Sequence, residues 1–197
     1  MAFDSRPLPA IVSTVVPADA ALVARVVAGA DRRAFAELVR RHQGTTRALL
    51  RRLCKEDFAL ADDLAQETFL QAFRKLAQFR ADAAFATWLY RIAYNVFLMH
   101  VRARKEELPL DDASAIDDAG AQASPESASV RELDVRRALA HLSVEERAAI
   151  VQCYYLDRSH EEAAVVMGCP VGTVKSYIFR AKKKLQMRLP GWQPGVA

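Results

Sequence analysis

The sequence predicts an all-α protein built from two small helical domains that a flexible acidic linker joins. The 197-residue chain is long enough for one large domain or two small ones. Its two basic blocks are rich in Ala, Leu, Arg and Glu, and their apolar residues recur at the i, i+3, i+4 and i+7 spacing of a helix. No segment shows the period-two alternation of a half-buried strand.

Charge divides the chain into three parts. The whole chain carries a net charge of +4, but residues 1–104 hold +6, residues 105–130 hold −6 and residues 131–197 hold +4. Two basic blocks are typical of domains that contact a polyanion. We therefore expect a flexible tail at 1–21, helical domains at 22–104 and 131–189, an acidic linker at 105–130 and a C-terminal tail at 190–197.

The acidic linker, KEELPLDDASAIDDAGAQASPESASV, has no helical apolar stripe. Because it cannot bury enough apolar surface to offset its ordering entropy, we expect it to be flexible. The residues alone leave two roles open. The linker is either a solvated spacer or an acidic strand that occupies a basic channel of a partner.

Composition argues against several classes of protein. No run of about 18 uncharged apolar residues exists, so no membrane-spanning helix is expected, and the first residues lack the pattern of a secretory signal. The three cysteines form no C-x-x-C pair, which argues against a disulfide framework or a standard zinc module. We expect a cytoplasmic protein with no catalytic residues, no metal and no cofactor. The alternative is an enzyme or a metal protein. Its candidate residues are scattered and lack the spacing of metal ligands: His42, His100, His141, His160, Cys54, Cys153 and Cys169.

The C-terminal block carries two helix-start signals. Ser143 with Glu146, and Ser159 with Glu162, have the spacing of capping boxes, in which each side chain bonds the other residue's backbone amide. Apolar residues follow both boxes at helical spacing. The sequence therefore predicts two short helices, which begin after Ser143 and after Ser159.

A tight turn and a third helix complete a helix-turn-helix. Gly168 tolerates a left-handed backbone, and Pro170 can begin a helix because it needs no amide partner. The spacing of Ala164, Gly168 and Val174 suits two helices that cross closely. The third helix is expected over residues 171–189.

The third helix separates an apolar stripe from a polar face. At 100° per residue its buried stripe is Val174, Ile178, Ala181 and Leu185. The opposite side holds short hydroxyls near its start and cations further along, with two flanking residues: Thr173, Ser176, Tyr177, Arg180, Lys183 and Lys184, flanked by Lys175 and Phe179. Such a face suits a major groove, since Arg recognises guanine edges and Lys binds the backbone. The alternative is a helix whose cations only face solvent.

An aromatic segment, residues 79–105, forms the second candidate site. Phe85, Leu89, Ile92 and Val96, together with Trp88, form an ordinary core stripe. The other side clusters residues that suit unpaired nucleic acid, because rings stack on bases and Asn bonds a base edge: Arg91, Tyr94, Asn95, Leu98 and Arg102. The alternative is that the rings only pack the core.

A polar ridge lies on the helix predicted over residues 61–78. Leu64, Phe69, Ala72, Phe73 and Leu76 can face a core. The ridge consists of Asp63, Gln66, Glu67, Gln71 and Arg74. It is either a face that docks a protein or a solvated surface.

Three strings together resemble a known family. DDLAQETFLQAFRKL, FATWLYRIAYN and CPVGTVKSYIFRAKKKL, in this order and around a short acidic linker, resemble the extracytoplasmic-function (group IV) sigma factors of bacterial RNA polymerase. The resemblance covers about residues 22–104, the sigma-2 domain, and 131–189, the sigma-4 domain. The segment 105–130 stands where larger sigma factors have a sigma-3 domain.

The resemblance implies roles for these residues. The segment that docks on the polymerase β′ clamp helices is implied at Asp63, Gln66, Glu67 and Arg74. Melting of the minus-ten element and capture of its single strand are implied at Trp88, Arg91, Tyr94, Asn95 and Arg102. Recognition of the minus-thirty-five element is implied at Lys175, Ser176, Phe179 and Arg180, and the polar face of the same helix adds Thr173, Tyr177 and Lys183 as candidates. Lys175 and Tyr177 stand where some members have arginine, and the acidic linker would thread toward the RNA exit channel.

The resemblance implies a promoter-specificity subunit for stress- or signal-responsive promoters, with no catalysis of its own. Its partners would be the polymerase core through the β′ clamp helices and β flap, promoter DNA, and an anti-sigma factor. We expect each domain alone to bind DNA weakly and the core to set their spacing. The alternative is an autonomous helix-turn-helix regulator that binds duplex DNA without polymerase.

Overall fold

The computed structural model describes residues 18–29, 31–107, 135 and 137–189, and it contains no strand among them. The prediction of an all-α protein is therefore confirmed. The N-terminal part contains four α-helices and a 3-10 turn: α1 (Asp19–Gly29), α2 (Arg32–Leu53), α3 (Phe58–Lys75), the turn Leu76–Gln78 and α4 (Phe85–Glu107). In the described residues, the C-terminal part contains a helical stretch over residues 137–140, and then three longer α-helices and a π-helical turn: α5 (Val144–Ile150), the turn Val151–Tyr155, α6 (His160–Met167) and α7 (Val171–Arg188). The proposed acidic linker and both tails lie largely or wholly outside the described residues.

Aspartate side chains start two of the three long helices of the N-terminal part, α2 and α3. Asp31 accepts hydrogen bonds from the amides of Arg33 and Ala34, both at 3.0 Å, at the start of α2. Asp57 accepts from the amide of Leu60 at 3.0 Å and starts α3. These carboxylates satisfy amides that have no partner within the helix, and they favour the positive end of its dipole.

The core of the N-terminal part lies between α2, α3 and α4, and α1 packs across α2. Its largest fully buried side chains are leucines of α1, α2, α4 and the 3-10 turn: Leu22, Leu38, Leu49, Leu50, Leu53, Leu76 and Leu89. Phe85, Leu89, Ile92 and Val96 are buried, as the apolar stripe of α4 predicts, whereas Trp88 is half-buried. This packing fixes which faces of α3 and α4 remain exposed.

The C-terminal part is the predicted helix-turn-helix. Both capping boxes are present, at Ser143–Glu146 and at Ser159–Glu162. Gly168 has φ 64° and ψ 34°, the left-handed conformation that allows the chain to turn after α6. Val174, Ile178, Ala181 and Leu185 are the buried residues of α7, so its predicted apolar stripe is confirmed.

A π-helical turn, Val151–Tyr155, follows α5 directly. Uninterrupted α-helical spacing after Ser143 predicts Ala148, Ile150, Val151 and Tyr154 on one apolar surface of this helix. Because a π turn accommodates more residues per turn than an α-helix, it changes the register of the side chains, and Tyr154 is 49% exposed. The ammonium of Lys182 lies 4.9 Å from its ring centroid.

The two parts pack against each other. Helix α4 contacts α6, and α2 contacts both α5 and the π turn. Ala148, Val151 and Val166 of the C-terminal part belong to the same apolar cluster as the core of α1–α4. The helices of both domains are therefore held in one closed arrangement, which the charge pattern of the sequence does not indicate.

Candidate nucleic-acid interface

The polar face of α7 is open to solvent. Five of the seven residues predicted for duplex DNA are exposed and the other two are half-buried: Lys175, Ser176, Phe179, Arg180 and Lys183, then Thr173 and Tyr177. The ring of Phe179 is 72% exposed, which is unusual for so large an apolar side chain. An exposed stripe of cations, a hydroxyl and a ring can contact phosphates and base edges together.

Arg180 lies between two neighbours on this face. Its guanidinium carbon is 5.1 Å from the ring centroid of Tyr177, one turn earlier in α7. Its Nε is 3.5 Å from Oε1 of Glu146, which belongs to α5. Lys184 lies on the same polar face but was not among the residues predicted to contact DNA. Its Nζ is 2.7 Å from Oε2 of Glu146.

On α4, part of the face predicted for single-stranded DNA is accessible. Arg91, Asn95 and Arg102 are exposed, and the first two are one helical turn apart. Trp88 packs among rings, with centroids 5.4 Å from Phe79 and 5.7 Å from Phe85. Arg91 and Asn95 thus present a cation and an amide on the side of α4 that also carries Trp88, one and two helical turns after it.

Tyr94 belongs to the same predicted face but is only 3% exposed. It lines a cleft of about 280 Å³ between the domains, with Met167, Cys169 and Tyr177 on the opposite wall. This burial raises the pKa of its phenol. The helical pattern had placed Tyr94 beside Asn95 on an open side of α4, and in the closed arrangement the C-terminal domain covers it.

Three arginines join the domains. Arg147 donates from Nη1 to the carbonyl of Leu53 at 3.0 Å, and Arg158 donates from Nη1 to the hydroxyl of Thr87 at 3.0 Å. The guanidinium of Arg158 also lies 4.6 Å from the ring centroid of Tyr90, and that of Arg52 lies 4.7 Å from the ring of Tyr155. Sequence analysis missed these contacts, because an arginine gives no local sign of which distant ring or carbonyl it meets.

Four residues of the polar ridge on α3 are predicted to dock a protein, and this docking ridge is partly exposed: Asp63, Gln66, Glu67 and Arg74. Glu67 is half-buried and accepts from Nε2 of Gln71 at 3.0 Å, and the other three are exposed. The ridge therefore presents both signs of charge and an amide along one face of α3.

An apolar groove of about 600 Å³ adjoins the docking ridge. Phe35 and Val39 of α2 and Phe69, Leu70 and Phe73 of α3 line it, along with Gln66 from the ridge. Leu70 is 53% exposed and Phe73 42% exposed, although the sequence had placed Phe73 toward the core. The sequence contained one signal for this exposed apolar surface. Leu70 follows Gln66 by four residues, so helical spacing places its apolar side chain among the polar residues of the ridge. Exposed apolar side chains beside a charged ridge are typical of a protein-docking surface.

Cys54, the buried cysteine of the N-terminal core, is a poor candidate for a reactive residue. Burial raises the pKa of the Cys54 thiol to about 12, so it is protonated near neutral pH and a poor nucleophile. No group of three or more potential metal ligands occurs within residues 18–29, 31–107, 135 and 137–189. No helix in these ranges is long and apolar enough to cross a membrane.

Fold and surfaces together are typical of one class of protein, a two-domain DNA-binding protein with a helix-turn-helix. Comparison with known proteins specifies the class. Residues 38–107 match the family described as Sigma-70 region 2, and residues 132–185 match the family described as Sigma-70, region 4. The chain belongs to the sigma-70 family, in its extracytoplasmic-function (ECF) group.

Relatives and solved structures agree with this membership. The chain is 41% identical over 182 residues to an RNA polymerase sigma-H factor of Pseudomonas aeruginosa, which spans 87% of this chain and 93% of the relative. It is 36% identical over 183 residues to an ECF RNA polymerase sigma-E factor of Haemophilus influenzae, across 87% of this chain and 95% of the relative. Its structure resembles the sigma factor RpoE of Bartonella quintana in complex with the anti-sigma factor NepR, with a TM-score of 0.67 and 28% identity over 81% of this chain and 98% of that one.

Membership fixes the general function. The protein is a promoter-specificity subunit that directs bacterial RNA polymerase to initiate transcription, and the family consists of non-catalytic polymerase subunits. An autonomous helix-turn-helix regulator is not favoured, because region 2 and region 4 occur together in one chain.

Proposed function

We propose that residues 22–104 dock on the polymerase core and capture the minus-ten strand, while residues 131–189 recognise the minus-thirty-five element. The observation that carries this proposal is the pair of faces on one chain: the cationic face of α7 and the exposed Arg91 and Asn95 of α4. One face suits duplex DNA and the other suits an unpaired strand. Each is too small to bind tightly alone, so the core would bring them together on one promoter.

The docking ridge and its groove are the proposed site for the polymerase β′ clamp helices. Exposed Leu70 and Phe73 would supply apolar contact, and Asp63, Gln66 and Arg74 would set the register of the partner at the rim. The β flap would contact the C-terminal domain.

The closed arrangement has a consequence for this function. Tyr94 lies under the C-terminal domain, so capture of a strand at Tyr94 requires the domains to separate. We propose that the polymerase core binds and so selects the open form, in which the two DNA-binding faces of this chain are apart. The Bartonella relative is in complex with an anti-sigma factor, and we propose that an anti-sigma factor also binds this chain and opposes the open form.

We further propose that the protein has no catalytic activity, metal or cofactor, and that it works in the cytoplasm beside the polymerase on stress- or signal-responsive promoters. Strand opening would then draw only on binding energy, because unstacking a base costs a few kcal/mol. The acidic linker would lie in the RNA exit channel, where its charge imitates RNA.

Transcription with purified components tests the proposal. The chain is mixed with bacterial core polymerase, co-elution is measured, and run-off transcription is carried out on a library of promoters with randomised minus-ten and minus-thirty-five elements. We expect co-elution and enrichment of one pair of elements. Tight, sequence-specific binding to duplex DNA without core, and no stimulation of the core, would instead support the autonomous regulator.

Arg180→Ala is expected to relax the minus-thirty-five preference. Loss of a guanidinium at a base edge removes about 1–3 kcal/mol of discrimination at that base. The promoter library measures this effect directly. Arg188→Ala, an exposed arginine in the last turn of the same helix, is the matched control and should weaken binding evenly. Equal profiles for the two variants would contradict the assignment of Arg180.

Asn95→Ala is expected to impair promoter opening while leaving assembly intact. The amide is exposed on α4, so its loss should cost a base contact and not the core, and open-complex formation should fall by about fivefold or more. Permanganate footprinting of unpaired thymines measures opening, and co-elution measures assembly. A parallel loss of both would mean that Asn95 supports the fold or the docking.

A further inference from the structure

Glu146 has contacts that its place in a capping box does not explain. The residue is only 3% exposed. Its Oε2 accepts from the backbone amide of Ser143 at 3.0 Å and from Nζ of Lys184 at 2.7 Å. Its Oε1 lies 3.5 Å from Nε of Arg180. A single buried carboxylate on α5 therefore meets two cations of the recognition helix α7.

The other capping box provides an internal comparison. Glu162 occupies the same local position, and it accepts from the amide of Ser159 at 3.0 Å. Its side chain is 51% exposed, and its cationic neighbour, Arg158, lies in the same part of the chain at 3.9 Å. Capping therefore requires neither burial nor cations from another helix, so the contacts of Glu146 with α7 serve a second purpose.

The position of Arg180 indicates what that purpose is. Its guanidinium is bounded by the carboxylate of Glu146 and the ring of Tyr177, yet its side chain remains 53% exposed. An arginine that has a carboxylate on one side and a ring on the other can adopt fewer orientations, and N–H groups of its planar fork stay available for a base. A free arginine would have to order its long side chain on each encounter with DNA.

Glu146 keeps its negative charge although its side chain is buried. Burial alone would raise the pKa of its carboxyl, but the hydrogen bonds from Lys184 and from the Ser143 amide, with the nearby charge of Arg180, outweigh this and hold the pKa below its usual value. The carboxylate is therefore ionised at neutral pH and attracts both cations.

We propose that Glu146 is a positioning residue for minus-thirty-five recognition, because it holds Arg180 in the orientation in which the guanidinium meets a base edge and ties Lys184 beside it. The inference rests on the proposed role of the α7 face in binding the minus-thirty-five element. Glu146 itself does not contact DNA in this account. It acts through Arg180, so its effect is confined to the base that Arg180 recognises.

Glu146→Gln tests the proposal with little change in shape, since an amide oxygen can still accept from Ser143. Glu145→Gln is the matched control, because it removes the same charge one residue earlier, from a carboxylate that accepts from the Ser143 hydroxyl at 2.9 Å. Both variants are assembled with core polymerase and assayed on the minus-thirty-five library. We expect Glu146→Gln to lose about fivefold or more of the discrimination at the base that Arg180→Ala affects, and Glu145→Gln to retain it.

A double variant separates positioning from general effects. If Glu146 acts through Arg180, then Glu146→Gln adds no further loss at that base once Arg180 is alanine. Should Arg180→Ala shift the promoter preference while Glu146→Gln leaves it unchanged, only the positioning role is overturned. Should Arg180→Ala itself leave the preference unchanged, the proposed role of α7 through Arg180 fails and the positioning role fails with it.

Two further outcomes would also overturn the inference. A uniform rise in transcription on all promoters would show that the carboxylate competes with DNA for the cations. A uniform fall, together with a lower melting temperature for Glu146→Gln than for Glu145→Gln, would show that Glu146 only supports the fold.

Discussion

Arg147→Met lowers the free energy of unfolding by about 3 kcal/mol, the cost expected when one buried, charged donor leaves several carbonyls without a partner. Arg147 is 3% exposed. Its guanidinium donates to the carbonyls of Leu139 at 3.2 Å, Ala140 at 3.3 Å, Leu142 at 3.2 Å and Leu53 at 3.0 Å. Three of these carbonyls precede α5, and the fourth ends α2 in the other domain.

Methionine is the informative substitute, because it keeps most of the apolar stem and removes the donors. In urea, with a slope of about 2 kcal/mol per molar, the midpoint should fall by about 1.5 M. Arg137→Met provides the control, since Arg137 is exposed on the helical stretch 137–140 before α5, and its midpoint should stay within a few tenths of a molar. Equal midpoints for the two variants would mean that water molecules replace the hydrogen bonds of Arg147 to these four carbonyls without a loss of stability.

The contacts of Arg147 also show where sequence reasoning ends. Local rules predicted both capping boxes, the left-handed Gly168 and the apolar stripe of α7, because each depends on residues within a few positions of one another. The partner of Arg147 in α2 is 94 residues away along the chain, and the partner of Arg158 in α4 is 71 residues away. No spacing rule connects positions so far apart.

Exposure could be predicted only where one domain decides it. The apolar stripe of α4 was predicted well, because helical spacing alone identifies which of its residues face the core formed with α2 and α3. Tyr94 is buried by the C-terminal domain, so its helical position alone could not reveal its state. Phe73 is the opposite case, an apolar residue that is exposed. The helical pattern allows it a core position, but α2 leaves a groove beside α3 that Leu70 and Phe73 line.

Arg158→Glu is expected to open the molecule. The side chain of Arg158 is 10% exposed at the boundary between the domains, where it bonds Thr87 and lies over the ring of Tyr90. A carboxylate at this position cannot donate a hydrogen bond to the Thr87 hydroxyl, and its negative charge would face the electron-rich face of the Tyr90 ring. It would also lie four residues from the like charge of Glu162. Replacing a largely buried, bonded cation by an anion costs about 3 kcal/mol, which is on the order of a hundredfold in the ratio of closed to open forms.

Small-angle scattering and sedimentation measure the opening together. A compact chain of this length has a radius of gyration of about 16 Å, and we expect Arg158→Glu to increase it by several ångströms and to sediment more slowly at an unchanged monomer mass. Arg33→Glu makes the same charge change on an exposed position of α2 and should leave both values unchanged. Arg158→Lys, which keeps the charge without the planar fork, should lie between the two. If Arg158→Glu scatters like Arg33→Glu, the shared apolar cluster of Ala148, Val151 and Val166 holds the domains closed without the arginine. Strand capture at Tyr94 would then depend on the polymerase core to break that cluster apart.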